Sequence, residues 1–183
     1  MMEAFFIDGG PIFLRAPEEK DLEGNWYRWL NDPEVTRFQN KGIFPNTREK
    51  QRTYYQSMMD SRSDVLLAIV EKDSGEHIGS VGLHSIDWVH RSAELGILIG
   101  ERQYWGRGYG KLAWGMITWY GFEVLNLHRI HAIIIKGNNP SLKAAQASGF
   151  TKEGEMRDRF FKNGRYHSAT LMSILEGEYK RSF

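Results

Sequence analysis

Between Glu101 and Lys111 the chain reads Glu-Arg-Gln-Tyr-Trp-Gly-Arg-Gly-Tyr-Gly-Lys, and no other segment constrains the fold as tightly. A β-rich run, 92–99, enters it, and a helical pattern, 111–124, leaves it. Alternating glycines at a helix N-terminus let successive main-chain N–H groups converge on one concavity at the positive end of the helix dipole. That geometry suits phosphate. Gly106, Gly108 and Gly110 let the main chain approach a diphosphate closely, while Arg102, Arg107 and Lys111 add mobile cations at the rim. Walker A would require Gly-Lys-Ser/Thr, and Gly110-Lys111-Leu112 fails at the last position. A dinucleotide fingerprint would need G-x-G-x-x-G after the first strand of a βαβ unit, whereas this G-x-G-x-G-K follows an antiparallel run. A glycine-rich turn with no ligand is the plain alternative.

The remaining pattern builds a sheet around this loop. Ile12–Arg15 reads as a first strand, and Pro17, Glu18 and Glu19 open a helix, because proline suits a first turn and carboxylates favour the positive helix end. Leu22, Trp26, Trp29 and Leu30 recur on one face of that helix as far as Asn31-Asp32-Pro33. Asn46-Thr47-Arg48-Glu49 caps a second helix through Met59, and 35–45 is an aromatic loop. From residue 65 the period falls to two. Runs 65–71 and 77–85 form a hairpin about Asp73-Ser74-Gly75, and 92–99 lies beside them. A buried strand over 130–135, a short helix over 140–147 and strands 150–156 and 166–175 complete the chain, the last two joined near Asn163-Gly164, a strong hairpin-turn signal. This order is α+β (mixed α/β), not the regular alternation of a doubly wound sheet. At 183 residues one domain is expected, in three parts: 12–62, 65–124 and 130–183.

Composition removes whole classes of function. Lys and Arg total 24 against 23 Asp and Glu, so no global electrostatic footprint for nucleic acid or anionic lipid exists. The absence of cysteine excludes disulfides, thiolate catalysis and cysteine–zinc sites. His128 and His131 are expected on opposite strand faces and His84 and His90 flank a loop, so no metal site is expected. Residues 1–11 lack a basic n-region with an apolar stretch, and no apolar run reaches a membrane span, which leads to the expectation of a cytoplasmic protein without membrane contact.

Three motifs in order carry a family resemblance: Ala93-Glu94-Leu95-Gly96-Ile97; Trp105-Gly106-Arg107-Gly108-Tyr109-Gly110; and Asn138-Asn139-Pro140-Ser141 leading through a short helix to Gly149-Phe150. Together they resemble the GNAT superfamily of acyl-CoA N-acyltransferases over nearly the full chain. Phe13-Leu14-Arg15, Trp29-Leu30-Asn31-Asp32-Pro33-Glu34-Val35 and Gly154-Glu155 with the Phe160–Gly164 turn are most similar to the branch holding ribosomal-protein alanine, spermidine and aminosugar N-acetyltransferases. The resemblance implies a mostly antiparallel twisted sheet of about seven strands, splayed between the fourth (92–99) and fifth (130–135), with about four helices. It further implies acetyl-CoA as co-substrate and no metal, with the diphosphate on Trp105–Lys111, the pantetheine arm along Ile97, Leu98 and Ile99, and Asn138 and Ser141 holding that arm from the other side.

Acetyl transfer implied by this resemblance is direct attack of a neutral amine on the thioester, and an alkyl amine of pKa ~10.4 needs a base. Glu94 is the candidate: strand alternation puts it on one face with Gly96 and Leu98, opposite Ala93, Leu95, Ile97 and Ile99. Two positions depart from the family pattern. Trp105 stands where Arg or Gln begins the loop motif, and Ala145 stands where many members carry the tyrosine that protonates the leaving thiolate. Tyr109, Ser141 or water are the remaining proton donors.

The acceptor is expected between the first two helices, their loop and the final hairpin, with Trp29, Asn31, Glu34, Phe38 and His84 as candidate contacts. Trp26, Trp29, Trp114 and Trp119, with Met116 and Ile117, also fit core at helical spacing. Residues 18–34 carry six acids against two bases, and 36–55 five bases against one acid. The first run suits a polyamine or cationic peptide terminus and the second a nucleotide-linked aminosugar, so charge selects neither. A non-catalytic acyl-CoA-binding module, supported by Ala145, is the alternative to an enzyme. Aromatic residues on the last hairpin leave pairing of two copies open.

Overall fold

The period-two runs become neighbouring strands of one sheet in the computed structural model, which describes residues 6–181 and 183. The strands are β1 (Ile7–Asp8), β2 (Ile12–Arg15), β3 (Val65–Glu71), β4 (His77–Asp87), β5 (Ser92–Ile99), β6 (Arg129–Ile135), β7 (Thr151–Lys162) and β8 (Arg165–Leu175). Their order is β1-β2-β3-β4-β5-β6-β8-β7, antiparallel at every junction except the parallel β5–β6 pair. The expected sheet of about seven strands gains β1, whose two residues are too few to show a period. The expected fourth and fifth strands are therefore β5 and β6.

The five α-helices among the described residues are α1 (Glu19–Glu23), α2 (Trp26–Trp29), α3 (Arg48–Met59), α4 (Tyr109–Trp119) and α5 (Asn139–Ala147). The first helix is not continuous, as the spacing of Leu22, Trp26 and Trp29 had implied. Gly24 is extended, at φ −79° and ψ −153°, where a glycine and then Asn25 give the helix its weakest propensity. All three apolar residues still bury together with Val35 and Leu66. The Thr47 hydroxyl accepts the Lys50 N–H at 3.2 Å, capping α3 as its sequence implies. Beneath the sheet, Trp114, Met116 and Ile117 of α4 join Ile78, Leu83 and Ile130 in the main core. The last hairpin is longer than the sequence indicated because β7 continues through a register shift between Met156 and Phe160. Its turn, Asn163-Gly164, takes φ of +51° and +76°, the left-handed pair that this dipeptide accommodates. Phe161 and Tyr166 stay exposed near the tip, their rings 5.1 Å apart.

Packing explains the opposed charge runs. Arg52 of α3 meets Glu19 at 2.9 Å and Glu23 at 3.7 Å, and Arg48 meets Glu23 at 3.2 Å. The acidic wall and part of the basic wall neutralise each other across α1 and α3, leaving Arg37 and Lys41 of the connecting loop outside that pairing.

A buried ion pair anchors this layer to the sheet. Arg15 of β2 donates to Asp21 at 2.7 and 2.8 Å, and both side chains are 3% exposed. Burial alone would raise the Asp21 pKa, but the Arg15 hydrogen bonds, His77 and the Glu18 N–H outweigh it and hold the carboxyl below its usual range. Stability from a depressed carboxyl is complete above the unfolded value of ~3.9 and drains as pH falls through the folded value. Asp21→Ala is expected to cost about 3–5 kcal/mol, since it removes the two-hydrogen-bond carboxylate partner of a buried guanidinium. Urea unfolding of Asp21→Ala and wild type between pH 7 and pH 3 checks both points, with the gap narrowing at the acid end.

Candidate active site

Strand β5 pairs with β6 only at Ser92↔Arg129, Ala93↔Ile130 and Glu94↔His131, and from Leu95 onward the two strands separate. A cavity of about 330 Å³ fills the opening. Its floor and walls include Glu94, Gly96, Ile97 and Leu98 of β5, Ala132 to Ile135 of β6, and Trp114 of α4. Phe38, Gln39 and Lys41 of the loop, with Tyr54 and Met58 of α3, line its other side. Asn138 and Ser141 close it from the start of α5, where Asn138 Oδ1 accepts the Ser141 N–H at 3.3 Å.

Alternation along β5 places its residues as the sequence indicates. Ala93, Leu95, Ile97 and Ile99 pack on the main core, and Leu98 packs on the other face with the Trp26 cluster. Glu94 stands on the last paired rung, 44% exposed, with His131 Nε2 at 3.9 Å. His84 is its cross-strand neighbour on β4. The imidazole lies over Gly82 and Gly96, so close that a Cβ on either would come within 3.1 Å of the ring. His84 Nδ1 meets Asp64 Oδ1 at 3.1 Å, an orienting contact that nothing in the sequence around Asp64 signals. Burial works against ionisation of Asp64, but Ser61, the Ser85 N–H and His84 together hold its pKa below the ordinary range.

The glycine loop lies beyond the end of β5. Gly106 and Gly108 have φ of +76° and +83°, with open space at both Cβ positions, so the left-handed backbone itself calls for glycine. Leu112 N–H is bonded back to Gly108 O at 3.1 Å, and the N–H groups of Tyr109, Gly110 and Lys111 precede it in the first helical turn, where no intrahelical carbonyl is available. Trp105 Nε1 donates to Ile99 O at 2.9 Å, and Gln39 Nε2 to Ile97 O at 3.1 Å. Both carbonyls thus point into the gap. Arg107 stacks on Tyr104, 5.1 Å from the ring centroid, leaving its guanidinium beside the loop.

Several candidates do not reach the cavity. Trp29 is 3% exposed and donates through Nε1 to Glu101 at 2.9 Å; its indole packs so tightly on Gly100 that any Cβ there would overlap it. It braces the loop entrance instead. Asn31 bridges to Asn46 through two backbone contacts of 2.7 and 2.8 Å, and Glu34 is exposed outside the lining. Tyr109 stacks on Tyr104 at 6.1 Å, away from the lining. Of the candidate proton donors, only Ser141 lines the cavity. His128 lies just before β6, near Glu176 at 3.4 Å, rather than on the strand. Among the described residues no group of three or more His, Asp or Glu is arranged to hold a metal, and no helix is long and apolar enough to cross a membrane.

Comparison with known proteins agrees with this geometry. The acetyltransferase (GNAT) domain model matches residues 12–151. The N-acetyltransferase p20 of Bacillus licheniformis is 35% identical over 175 residues, covering 92% of this chain and 94% of that protein. Spermidine N(1)-acetyltransferase of Escherichia coli K12 is 40% identical over 111 residues, 61% of this chain and 59% of that enzyme. The crystal structure of Vibrio cholerae spermidine N-acetyltransferase with CoA and spermine superposes with a TM-score of 0.85 at 26% identity, covering 92% of this chain and 98% of that one. The chain therefore belongs to the GNAT family of N-acetyltransferases.

Proposed function

We propose that this protein transfers the acetyl group of acetyl-CoA to a primary amine by direct attack within a ternary complex. The observation that carries the reading is Glu94 at the point where β5 and β6 part, its carboxylate in a cavity that runs between acceptor-side loop and α5. The residues fit a coenzyme A arm. Trp114 lines the cavity, and its Nε1 is buried with no hydrogen-bond partner. The Ile97 and Ile99 carbonyls mark the sheet edge along which amide groups can pair, as in strand addition. Asn138 and Ser141 face that edge, and Trp105 to Lys111 offer N–H groups and cations to the diphosphate.

Acetyl-CoA supplies a thioester carbonyl. Glu94, directly or through one water, takes the proton from the incoming ammonium and passes it to solvent; the neutral amine nitrogen then forms the C–N bond, gives up its second proton to the freed Glu94 carboxylate, and the C–S bond breaks. The Ser141 hydroxyl donates toward the departing sulfur, and solvent restores its proton. His84, fixed by Asp64, orients the amine beside Glu94. The spermidine N-acetyltransferases among its relatives support a small amine as acceptor, and a polyamine, an aminosugar and a protein N-terminus all present the required primary amine. Ala145 favours one other reading, an acyl-CoA-binding module without turnover. Release of free CoA in the presence of acetyl-CoA and an amine panel decides between them.

Glu94→Gln is expected to lower kcat/KM by ~10²-fold or more, with CoA affinity unchanged by calorimetry; full activity in that variant removes Glu94 from the role. Gly108→Ala places an L-residue at φ +83°, which costs about 1–2 kcal/mol. Its CoA affinity is expected to fall about tenfold if the loop relaxes out of shape, measured on the same titration.

A further inference from the structure

A second cavity, of about 260 Å³, adjoins the cleft and is walled by Arg37, Lys136, Lys162, Arg165 and His167. Phe38, Ile135 and Phe160 line both cavities, which therefore share a wall. No carboxylate lines the second among the described residues. We propose that it is an anion site, and that the acceptor is a primary amine carrying a phosphate or carboxylate group that seats there while the amine lies at Glu94. This rests on the acetyl-transfer reading above.

The surrounding charges leave cations to spare. Lys136 approaches Glu155 at 3.4 Å, and Asp158 is exposed on β7 outside the lining. Lys162 donates to the carbonyls of Thr36, Gln39 and Lys41, contacts that fix its position without cancelling its charge. His167 Nε2 donates to Lys162 O at 3.2 Å. Arg37 stacks over Phe38, its guanidinium carbon 5.2 Å from the ring centroid, and Arg165 pairs in register with Lys162. Neither arginine has a carboxylate partner among the described residues. The planar guanidinium fork matches a phosphate or carboxylate through two hydrogen bonds.

The main cleft is poorly suited to a polycation. Glu94 is the carboxylate in its lining, and Lys41 faces the same space, with Nζ 4.5 Å above the Tyr54 ring. A polyamine with one nitrogen at Glu94 would bring further ammonium groups toward Lys41 and then Arg37 and Arg165, and such like-charge contacts oppose binding. An anionic tail reverses the sign of each.

Two measurements test this. Steady-state CoA release compares glucosamine 6-phosphate with glucosamine, phosphoethanolamine with ethanolamine, and both pairs with spermidine. Within at least one pair the phosphorylated amine is expected to show tenfold or higher kcat/KM, and in Arg37→Ala/Arg165→Ala that ratio falls toward one; Arg165→Glu alone should depress it likewise. A preference for spermidine over every phosphorylated amine, or a ratio that survives the double substitution, overturns the proposal. Independently, calorimetry of inorganic phosphate into protein saturated with coenzyme A is expected to show millimolar binding that the double variant loses. Absence of phosphate binding overturns the anion site even when amines are acetylated. Phosphate binding with no turnover on any amine leaves the anion site standing and sinks the acetyl-transfer reading.

Discussion

Strand β5 is bonded to β4 along its length, from Asp87↔Ser92 to Gly79↔Ile99, yet it holds β6 through only three residue pairs. β6 in turn is paired with β8 over all seven of its residues. Closing the gap would mean shearing one antiparallel ladder or the other, so the sheet stays open where a parallel pair would ordinarily continue. The consequences follow in order. Backbone carbonyls of β5 face the opening, Glu94 stands at its apex, and Trp114 underlies it with an unspent N–H. A sheet is normally harmed by exposed edge groups; here the helices and the acceptor loop cover that edge.

The cover is itself held by hydrogen bonds that run across the molecule. Lys162, at the tip of the β7–β8 hairpin, gathers three loop carbonyls, including Gln39 O at 2.8 Å, while the Gln39 side chain reaches Ile97 O at 3.1 Å. Desolvation lowers the Lys162 pKa, and its Nζ is the donor on which the loop conformation turns. Hairpin, loop and β5 edge are therefore coupled: an arm that takes the Ile97 carbonyl must displace Gln39, and the loop that carries Gln39 also carries Phe38 and Lys41 into the acceptor space. On the proposed reading, cofactor entry and the shape of the acceptor wall draw on the same residues.

Features set by local backbone chemistry were legible in the sequence. The glycine loop, the Asn163-Gly164 turn, the Thr47 cap and the face of β5 that bears Glu94 each follow from constraints within a few residues. What depended on distant partners was not. Trp29 reads in the sequence as a candidate acceptor contact, but Gly100, seventy-one residues away, turns it into a loop brace. In the sequence the opposed charge runs fit solvated helix faces better than two walls of a binding site, and only with α1 and α3 side by side do they pair with each other. Asp64 and Lys162 act through cross-strand and cross-loop contacts that no periodicity encodes, and the break at Gly24 shows a weak local signal overruling an apolar stripe that remains buried as a unit.

The vacancy at position 145 bears on which proton transfer the fold must supply. Ala145 is fully buried in the core cluster that also holds Trp114 and Phe150. A thiol of pKa ~8.5 leaves a carbonyl carbon far more readily than an amine of pKa ~10.4 attacks it in protonated form near neutrality. At pH 7 only about one such amine in 2,500 is uncharged, whereas a thiolate is a modest base that solvent or a nearby hydroxyl can protonate after it departs. An enzyme on this scaffold can therefore dispense with a dedicated acid more easily than with the base. Glu94 at the apex of the opening and the Ser141 hydroxyl in the same lining match, on the proposed reading, the division of labour the two pKa values call for.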